Sequence, residues 1–361
     1  MPPYYAVAFV FLHKRLNMAE SVHYSDYLQL DKILNAQFPE SEKSPPVAHD
    51  EMLFIVIHQS YELWFKQLLY EVGSVNEIML KSSLNDNSPE LQTVVHRLSR
   101  CISILRVLVH QIDIMETMTP MDFLDFRDLL RPASGFQSVQ FKLLEAKLGL
   151  KYEQRYGQEY YVSQLRKEEI HKVKDGEAGK SLLQLVNSWL ERMPFFDEQE
   201  NWKDFVSIGF EENIPVYWTT YRASLKKSLA DVESANLEAF DNLFIKDVAG
   251  RQFSAKGNRA ALFIMLYRGY PILQLPFQLL NNLLEIDEQL STWRYRHMNM
   301  VHRMIGTRIG TGGSTGRDYL KAALDKHYIF KEIAMLTSFL IERKTLPQLS
   351  DAMERRLGFI H

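Results

Sequence analysis

Hydrophobic and polar residues alternate with a helical period along almost the whole chain. Apolar side chains recur every three or four residues, as they do on one face of an α-helix, and runs with strand-like alternation are hard to find. Glycine and proline, which interrupt helices, number only 16 and 13 among 361 residues. The pattern predicts an all-α fold, a bundle of long helices with a helical insertion.

Capping residues and prolines predict where the main helices begin. Asp50 is the expected N-cap of a long helix, Ser88-Pro89 and Thr119-Pro120 begin the next two, and Ser134 is placed to cap another. The predicted helices cover about residues 21–37, 50 to beyond 72, 88–118, 119–130, 136–148, 158–173, 180–192, 216–248 and 276–305, and one more begins near residue 317.

The middle of the chain differs from its flanks. Residues 150–255 are more polar and less regular, so we expect them to form a helical insertion subdomain, with residues 18–149 and 256–361 forming the main helical core. Met18 begins the sequence Met-Ala-Glu-Ser just before the first predicted helix. Residues 1–17 are therefore expected to be an N-terminal extension, either a start assigned too far upstream or a loosely attached tail, and mass spectrometry of protein from the native host would decide between the two.

Charge, cysteine content and apolar run length exclude several classes of protein. Lysine and arginine number 42 against 45 acidic residues, and the chain has no basic stripe of the kind that binds nucleic acid. The single cysteine, Cys101, rules out a disulfide within the chain and favours a cytoplasmic location. The longest apolar run, residues 4–12, is far shorter than the about 20 residues that span a membrane. We expect neither a nucleic-acid partner nor a membrane.

His58 is the first candidate for chemistry. In a helix it shares a face with Phe54, Ile55, Tyr61 and Phe65, so its imidazole projects among aromatic rings. A core histidine hydrogen-bonded to a neighbour has the same pattern, and the pattern alone favours that plainer interpretation.

His297 has a setting that suits a haem ligand. Trp293, Met300, Val301 and Met304 flank it on one face of the predicted helix. Iron needs a neutral nitrogen, a porphyrin needs flat apolar walls, and nearby arginines could meet its propionates. A stripe of methionine and aromatic residues is also typical of an ordinary core, so this alternative stays open.

Arg127 and the segment 310–316 are candidates for binding a charged substrate. Arg127 follows Phe123 by about one turn and could clamp a carboxylate with two hydrogen bonds, or it could form an ion pair with Asp128 or another carboxylate of the chain. The glycine-rich segment lacks the ending of a phosphate-binding loop, yet its N–H groups and the hydroxyl of Thr311 could cradle a small charged group. A plain flexible linker is the alternative.

Seven separated motifs in order resemble the tryptophan 2,3-dioxygenase family, and the resemblance extends over nearly the whole chain. They are residues 24–28 (YSDYL), 50–59 (DEMLFIVIHQ), 62–64 (ELW), 126–127 (FR), 132–138 (PASGFQS), 293–298 (WRYRHM) and 310–314 (GTGGS). Two departures are minor: Thr315 stands where serine is expected, and Phe123 is tyrosine in some bacterial members.

The resemblance implies a role for each candidate residue. His297 would be the axial ligand of the iron of haem b, one per subunit, and Ser134 would lie beside the haem. His58 would stand on the opposite side, near the indole N–H of the substrate. The residues that would contact the substrate are Phe54, Phe123, Arg127, Thr311, Tyr24 and Tyr27. Arg127 would hold the carboxylate and Thr311 the ammonium, and the two tyrosines would come from a neighbouring subunit.

The resemblance also implies an activity and an assembly. The expected reaction is haem-dependent cleavage of the indole C2–C3 bond of L-tryptophan by O2 to N-formylkynurenine, the first step of the kynurenine pathway. The expected assembly is a homotetramer, a dimer of dimers that exchanges N-terminal helices. Two alternatives are a related haem enzyme that acts as a monooxygenase or on a substituted indole, and a haem-free helical scaffold that has lost activity.

Overall fold

The computed structural model describes residues 22–152, 155, 165–193, 216–308 and 327–358. Within these ranges the secondary structure is helical and contains no strand, which confirms the predicted all-α fold. The α-helices, numbered in chain order, are α1 (Tyr24–Leu28), α2 (Leu30–Leu34), α3 (Asp50–Met79), α4 (Pro89–Met115), α5 (Pro120–Arg127), α6 (Val139–Leu148), α7 (Lys167–Ala178), α8 (Leu182–Leu190), α9 (Val216–Ser228), α10 (Ala235–Phe240), α11 (Ala255–Leu266), α12 (Pro271–Ile305), α13 (Lys331–Met335) and α14 (Asp351–Leu357).

Three long helices form the frame of the molecule. Helices α3, α4 and α12 contain 30, 27 and 35 residues, so each is about 40–50 Å long at the usual rise of about 1.5 Å per residue. Helix α4 packs along both α3 and α12, and the shorter α6 packs across α3. The apolar faces of these helices meet in one large cluster of buried side chains. Burial of that apolar surface is the main force holding the frame together.

Polar contacts fix the register of the three long helices. Arg100 Nη1 of α4 lies 2.7 Å from Glu71 Oε1 of α3, and Asn282 Nδ2 of α12 donates to Val95 O of α4 at 3.0 Å. Farther along α4, Arg296 Nη1 of α12 lies 2.7 Å from Asp113 Oδ1. These pairs show that α12 runs in the same direction as α4 and brings its C-terminal third to the end of α4.

Two of the four predicted helix starts are confirmed and two are wrong. The Ser88 and Thr119 side chains cap α4 and α5, with proline at the first helical position, as predicted. Asp50 is not an N-cap but the first residue of α3, and the capping position belongs to His49. Ser134 caps a short 3-10 turn, while Ser138 caps α6. An N-cap is set by backbone dihedral angles as well as residue type, so sequence alone does not fix its position.

Several predicted helices differ in extent from the structure. The helix expected over residues 216–248 ends at Ser228, and α10 begins only at Ala235. The helix expected over residues 158–173 extends to Ala178, and the helix expected from near residue 317 begins outside the described residues. The helix expected over residues 21–37 is two short helices, because Gln29 adopts a left-handed conformation with φ of 52° and its side chain donates to Asp26 O. The last long helix begins at Pro271 rather than at Pro276, which lies inside it. Proline is favoured at the first position of a helix, so the sequence alone indicates both Pro271 and Pro276 as possible starts.

The predicted insertion shares its core with the rest of the chain in the described ranges. Trp189, Trp218 and Phe240 belong to the same buried cluster as Leu68 of α3 and Leu98 of α4. Rings in this region meet closely, as between Phe240 and Phe244, whose centroids lie 4.6 Å apart. The division of the chain into a core and an insertion subdomain, and the extension over residues 1–17, stay predictions. None of the described helices has the length and apolar character that a membrane span requires.

Candidate functional site

The imidazole of His58 is held on α3 in a defined tautomer. Its Nδ1 atom lies 2.7 Å from the carbonyl oxygen of Phe54, one turn earlier. Because a carbonyl only accepts hydrogen bonds, Nδ1 carries the hydrogen, and Nε2 of the neutral ring is left as an acceptor. Burial lowers the pKa of His58 below its ordinary value, and the bond to Phe54 opposes that effect. The result is a neutral ring that can accept a hydrogen bond at Nε2.

Three phenylalanine rings beside His58 pack against one another in an apolar cluster, which we call the aromatic cage: Phe54, Phe123 and Phe126. Phe54 lies 5.8 Å from Phe123 in a stacked arrangement and 5.6 Å from Phe126 edge to face. Phe123 and Phe126 meet edge to face at 5.4 Å. The His58 ring lies 4.1 Å from Phe54. Flat apolar walls with one hydrogen-bond acceptor are suited to a planar ring that carries a single N–H.

Helix α5 carries two residues of the cage, Phe123 and Phe126, and the buried Arg127. Its start is fixed by a capping box, in which Thr119 N donates to Asp122 Oδ2 at 2.8 Å and Asp122 N donates to the Thr119 hydroxyl. Phe126 is fully buried, and Arg127, the last residue of α5, is only 4% exposed. A guanidinium at this depth beside apolar rings is a strong binding group for an anion.

Asp128, which the sequence offers as one possible ion-pair partner of Arg127, lies directly after α5. Asp128 is mostly exposed, and its Oδ1 lies 3.3 Å from Arg131 Nε. This surface pair accounts for the Asp128 carboxylate with a neighbour other than Arg127. Carboxylate binding by Arg127 stays a prediction.

The C-terminal third of α12 covers the aromatic cage. Met300 and Met304 pack against the small cluster formed by Ile57, Met115, Met118 and Phe126, which also receives Phe54 and Phe123. His297 lies one turn before Met300 on the same helix. The two candidate histidines are therefore carried by different long helices that meet at the cage.

His297 has the properties of a metal ligand. Burial and the nearby His58 lower its pKa to about 4, so the ring is neutral at physiological pH. Its Nδ1 atom is buried and makes no hydrogen bond within the described residues. The ring lies parallel to the Trp293 indole, with 5.2 Å between centroids and 2° between planes. A neutral imidazole with a buried nitrogen that the protein leaves unbonded fits the axial ligand of a haem.

The arginines beside His297 are already bound to carboxylates of this chain. Arg294 Nη2 lies 2.6 Å from Glu145 Oε1, and Arg296 contacts Asp113 at 2.7 Å and Glu116 at 3.0 Å. The expectation that nearby arginines would meet haem propionates is therefore not supported for these two side chains.

The remaining predicted site residues are Ser134, Tyr24, Tyr27 and Thr311. Ser134 is half-buried, and its hydroxyl accepts from Phe136 N at 3.4 Å in a turn between α5 and α6. Tyr24 and Tyr27 on α1 are 70% and 74% exposed, so this chain does not enclose them itself. Thr311 and the glycine-rich segment 310–316 lie outside the described residues.

Sequence reasoning missed two residues of the site. Phe126 completes the aromatic cage, and its spacing of three residues from Phe123 could have indicated a shared helix face. Glu145 binds Arg294, one turn before His297. No sequence signal identified Glu145, because the two residues are far apart in the chain and meet only through tertiary packing.

The fold and the site together define a class of protein: an all-α bundle of long helices in which two of them, α3 and α12, bring a histidine each to a cluster of aromatic rings. A family model described as tryptophan 2,3-dioxygenase matches residues 12–340. The chain is 42% identical over 355 residues to tryptophan 2,3-dioxygenase of Bdellovibrio bacteriovorus, covering 94% of this chain and 98% of the relative. The protein of the same name from Dictyostelium discoideum is 41% identical over 358 residues, covering 94% and 89% of the two chains. The chain belongs to the tryptophan 2,3-dioxygenase family.

Proposed function

We propose that this protein is a haem-dependent dioxygenase that cleaves the indole C2–C3 bond of L-tryptophan with O2 and yields N-formylkynurenine, the first step of the kynurenine pathway. Membership of the family supports the reaction. The observation that carries the proposal is the neutral His58 ring at the aromatic cage, with Nδ1 committed to Phe54 O and Nε2 left to accept. An indole presents a flat apolar ring and one N–H donor, which this arrangement complements.

His297 is the residue we propose as the axial ligand of a haem b, one per subunit, with Ser134 beside it. The neutral ring and the buried, unbonded Nδ1 of His297 support the assignment. When bound, a ferrous haem supplies the activation of O2 that no amino-acid side chain provides. The protein supplies an imidazole of fixed orientation and an apolar enclosure that excludes water.

We assign substrate binding to groups around the cage. The indole would pack against Phe54 and Phe123, with its N–H donating to His58 Nε2. The carboxylate would bind Arg127 with two hydrogen bonds, and the ammonium would bind Thr311. This arrangement fixes both ends of the amino acid and the ring plane, so that C2 and C3 are presented in one orientation. His58 acts here as a hydrogen-bond acceptor, since an indole N–H is a very weak acid.

The direct test of the proposed function is an assay of the haem-loaded protein. The protein is reduced without oxygen, L-tryptophan and O2 are added, and N-formylkynurenine is identified by its absorbance and mass. Incorporation of both atoms of ¹⁸O2 into the product is the expected result. Incorporation of one atom would indicate a monooxygenase, and a normal haem spectrum without product would indicate a different indole substrate.

Replacing His58 with alanine should lower the rate and leave the haem in place. The variant loses the acceptor for the indole N–H but keeps His297, so we expect kcat/KM to fall by about 10- to 100-fold, as when one hydrogen-bond partner of a buried polar group is removed. The Soret band should be unchanged. With 1-methyl-tryptophan, whose indole has no N–H to donate, kcat/KM should differ far less between the variant and the wild type. Loss of haem from this variant would contradict the assignment of His297 as the axial ligand.

The pH dependence of the reaction should reflect the lowered pKa of His58. Only the neutral ring has a free acceptor, and a pKa below the ordinary value of 6.5 keeps the ring neutral as the pH falls to that value. We therefore expect kcat/KM to fall as the solution is made acidic, with its half-maximal loss below pH 6.5. The profile of the His58→Ala variant should lack that acidic fall. A half-maximal loss at or above pH 6.5 in the wild type would contradict the proposed role.

We also propose a homotetramer, a dimer of dimers in which N-terminal helices are exchanged, and a cytoplasmic location. Helices α1 and α2 bury none of their side chains against the described part of their own chain, and Leu34 and Phe38 are 68% and 75% exposed. An apolar surface of this kind is typical of a segment that packs on a neighbouring subunit. Burial raises the pKa of the Cys101 thiol to about 12, which leaves it protonated and supports a reduced state.

The exchange predicts that tyrosines of one subunit complete the pocket of another. Replacing both Tyr24 and Tyr27 with alanine should raise the KM for L-tryptophan by about two- to tenfold through the loss of aromatic contacts, without loss of haem. Replacing the equally exposed Tyr70 of α3 (75% exposed) is the control. Subunits with the tyrosine replacements, when co-assembled with Arg127→Met subunits, should regain wild-type KM in a fraction of their sites. Absence of that complementation would place the tyrosines outside the neighbouring pocket.

A further inference from the structure

A buried carboxylate on α6 binds the helix that carries His297. Glu145 is 3% exposed, and each of its oxygens contacts a different guanidinium: Oε1 lies 2.6 Å from Arg294 Nη2, and Oε2 binds Arg155 Nη1. Burial alone would raise the pKa of Glu145, but the charges of Arg155 and Arg294 outweigh it and hold that pKa at about 2. Glu145 is therefore ionised and fully engaged.

Arg294 connects three parts of the chain at one point. It is 6% exposed, and besides Glu145 it binds the segment after residue 326, where Nη1 donates to His327 O at 3.2 Å. It lies three residues before His297, which is almost one helical turn. Any rotation of α12 about its axis that moved the His297 ring would also have to move this guanidinium away from both partners.

A second contact from α6 reaches the neighbouring residue of α12. The Phe141 ring lies 5.0 Å from Trp293, and Trp293 lies parallel to His297. Phe65 of α3 meets the same indole edge to face at 6.4 Å. Helix α6 therefore contacts two consecutive residues of α12 shortly before His297. Glu145 binds Arg294 through charge, and the Phe141 ring packs against Trp293.

The buried pair is better explained by orientation than by stability. A buried ion pair contributes little net free energy, because the cost of removing two charges from water offsets their attraction, and apolar residues of similar volume often stabilise a fold as well. An ion pair differs from an apolar contact in its direction, since a guanidinium binds a carboxylate in only a few geometries. Arg296 of α12 also forms an ion pair, with Asp113 of α4. That pair is partly exposed to solvent, so its attraction is weaker than that of the buried pair between Glu145 and Arg294.

We propose that Glu145 is a positioning residue for His297: by holding Arg294 it fixes the rotation of α12, and with it the direction in which the His297 imidazole points. This inference rests on the proposed function, in which His297 is the haem ligand. Residues that orient a metal ligand from behind commonly change metal affinity or activity by about 10- to 100-fold when replaced. Glu145 does so without contacting the haem, O2 or tryptophan.

The test compares Glu145→Gln and Arg294→Lys with Asp241→Asn in haem-loaded protein. Glutamine keeps the shape of Glu145 without its charge, and lysine keeps the charge of Arg294 but cannot bind two partners in one plane. Asp241 is the matched control, because it forms a two-bond pair with Arg222 away from His297. The measurements are the rate of haem transfer to apomyoglobin and the iron–histidine stretching band of the ferrous protein. We expect haem loss to accelerate by about 10-fold or more in the first two variants and the band to shift or broaden, with the control unchanged.

The outcomes separate the inference from the function on which it rests. Wild-type haem loss and an unchanged iron–histidine band in folded Glu145→Gln would overturn the inference. If that variant does not fold, Arg294→Lys decides by the same two measurements. A wild-type protein without an iron–histidine band, or a His297→Ala variant that retains one, would instead overturn the proposed function. Because Phe54, Phe123 and Arg127 lie on α3 and α5, the KM for L-tryptophan should change by less than about twofold, while kcat falls.

Discussion

Replacing His297 with alanine is expected to abolish both the haem spectrum and the activity. The side chain supplies the only bond that we assign between protein and iron, and such ligands contribute most of the affinity of the site. We expect the Soret band of the purified protein to fall by at least about tenfold under conditions that saturate the wild type, and product formation to become undetectable. The measurement is the ratio of Soret to protein absorbance after loading with haem and gel filtration.

The matched control lies on the same helix. His302 is also on α12, but it is exposed, and its replacement by alanine should leave both the spectrum and the rate unchanged. Added imidazole should restore part of the Soret band in His297→Ala, because the free ligand can enter the space that the side chain leaves. If His297→Ala binds haem as tightly as the wild type, another residue is the ligand.

The sequence predicted the local parts of this molecule well because their causes are local. Ser88-Pro89 and Thr119-Pro120 fix the starts of α4 and α5 through side chains that bond to the first turn of the same helix. The placement of Phe54 and His58 on one face follows from the helical period, and the structure confirms it with 4.1 Å between the two rings. Information of this kind is contained within about four residues of the chain.

What the sequence did not predict depends on residues that are distant in the chain. The break at Gln29 follows from a backbone conformation that glutamine seldom adopts, so residue type gave no warning of it. From the sequence, Arg294 was a candidate for binding the propionates of a cofactor. In the structure it binds Glu145, which is 149 residues away in the chain. Local periodicity carries no information about which helix will supply a partner, and this limits what can be concluded about any single arginine.

The site combines groups of two kinds on separate elements. His297 and the residues that hold it belong to α12 and α6, whereas His58, the aromatic cage and Arg127 belong to α3 and α5. Substitutions on the first pair of helices should therefore act mainly on haem affinity and kcat, and substitutions on the second pair mainly on the recognition of tryptophan. Arg127 gives the sharpest test of this division, since one end of the substrate can be removed chemically.

Replacing Arg127 with methionine should raise the KM for L-tryptophan by about 30-fold or more, because loss of one partner of a buried, hydrogen-bonded charge pair costs about 2–5 kcal/mol. Methionine keeps much of the apolar volume of a side chain that is 4% exposed, so we expect the fold and the Soret band to survive. Arg127→Lys should be intermediate, since an ammonium retains the charge without the two-bond geometry. Initial rates against substrate concentration provide the measurement.

The decisive comparison uses tryptamine, which has the indole and the ammonium of tryptophan but no carboxylate. Its dissociation constant, measured from the change it causes in the haem spectrum, should be nearly the same in the wild type and in Arg127→Met, while that of L-tryptophan rises steeply. Arg131→Met is the control, because Arg131 is an exposed neighbour whose described partner is Asp128. Equal weakening of both ligands by Arg127→Met would mean that the guanidinium supports the pocket structurally and that the carboxylate is bound elsewhere.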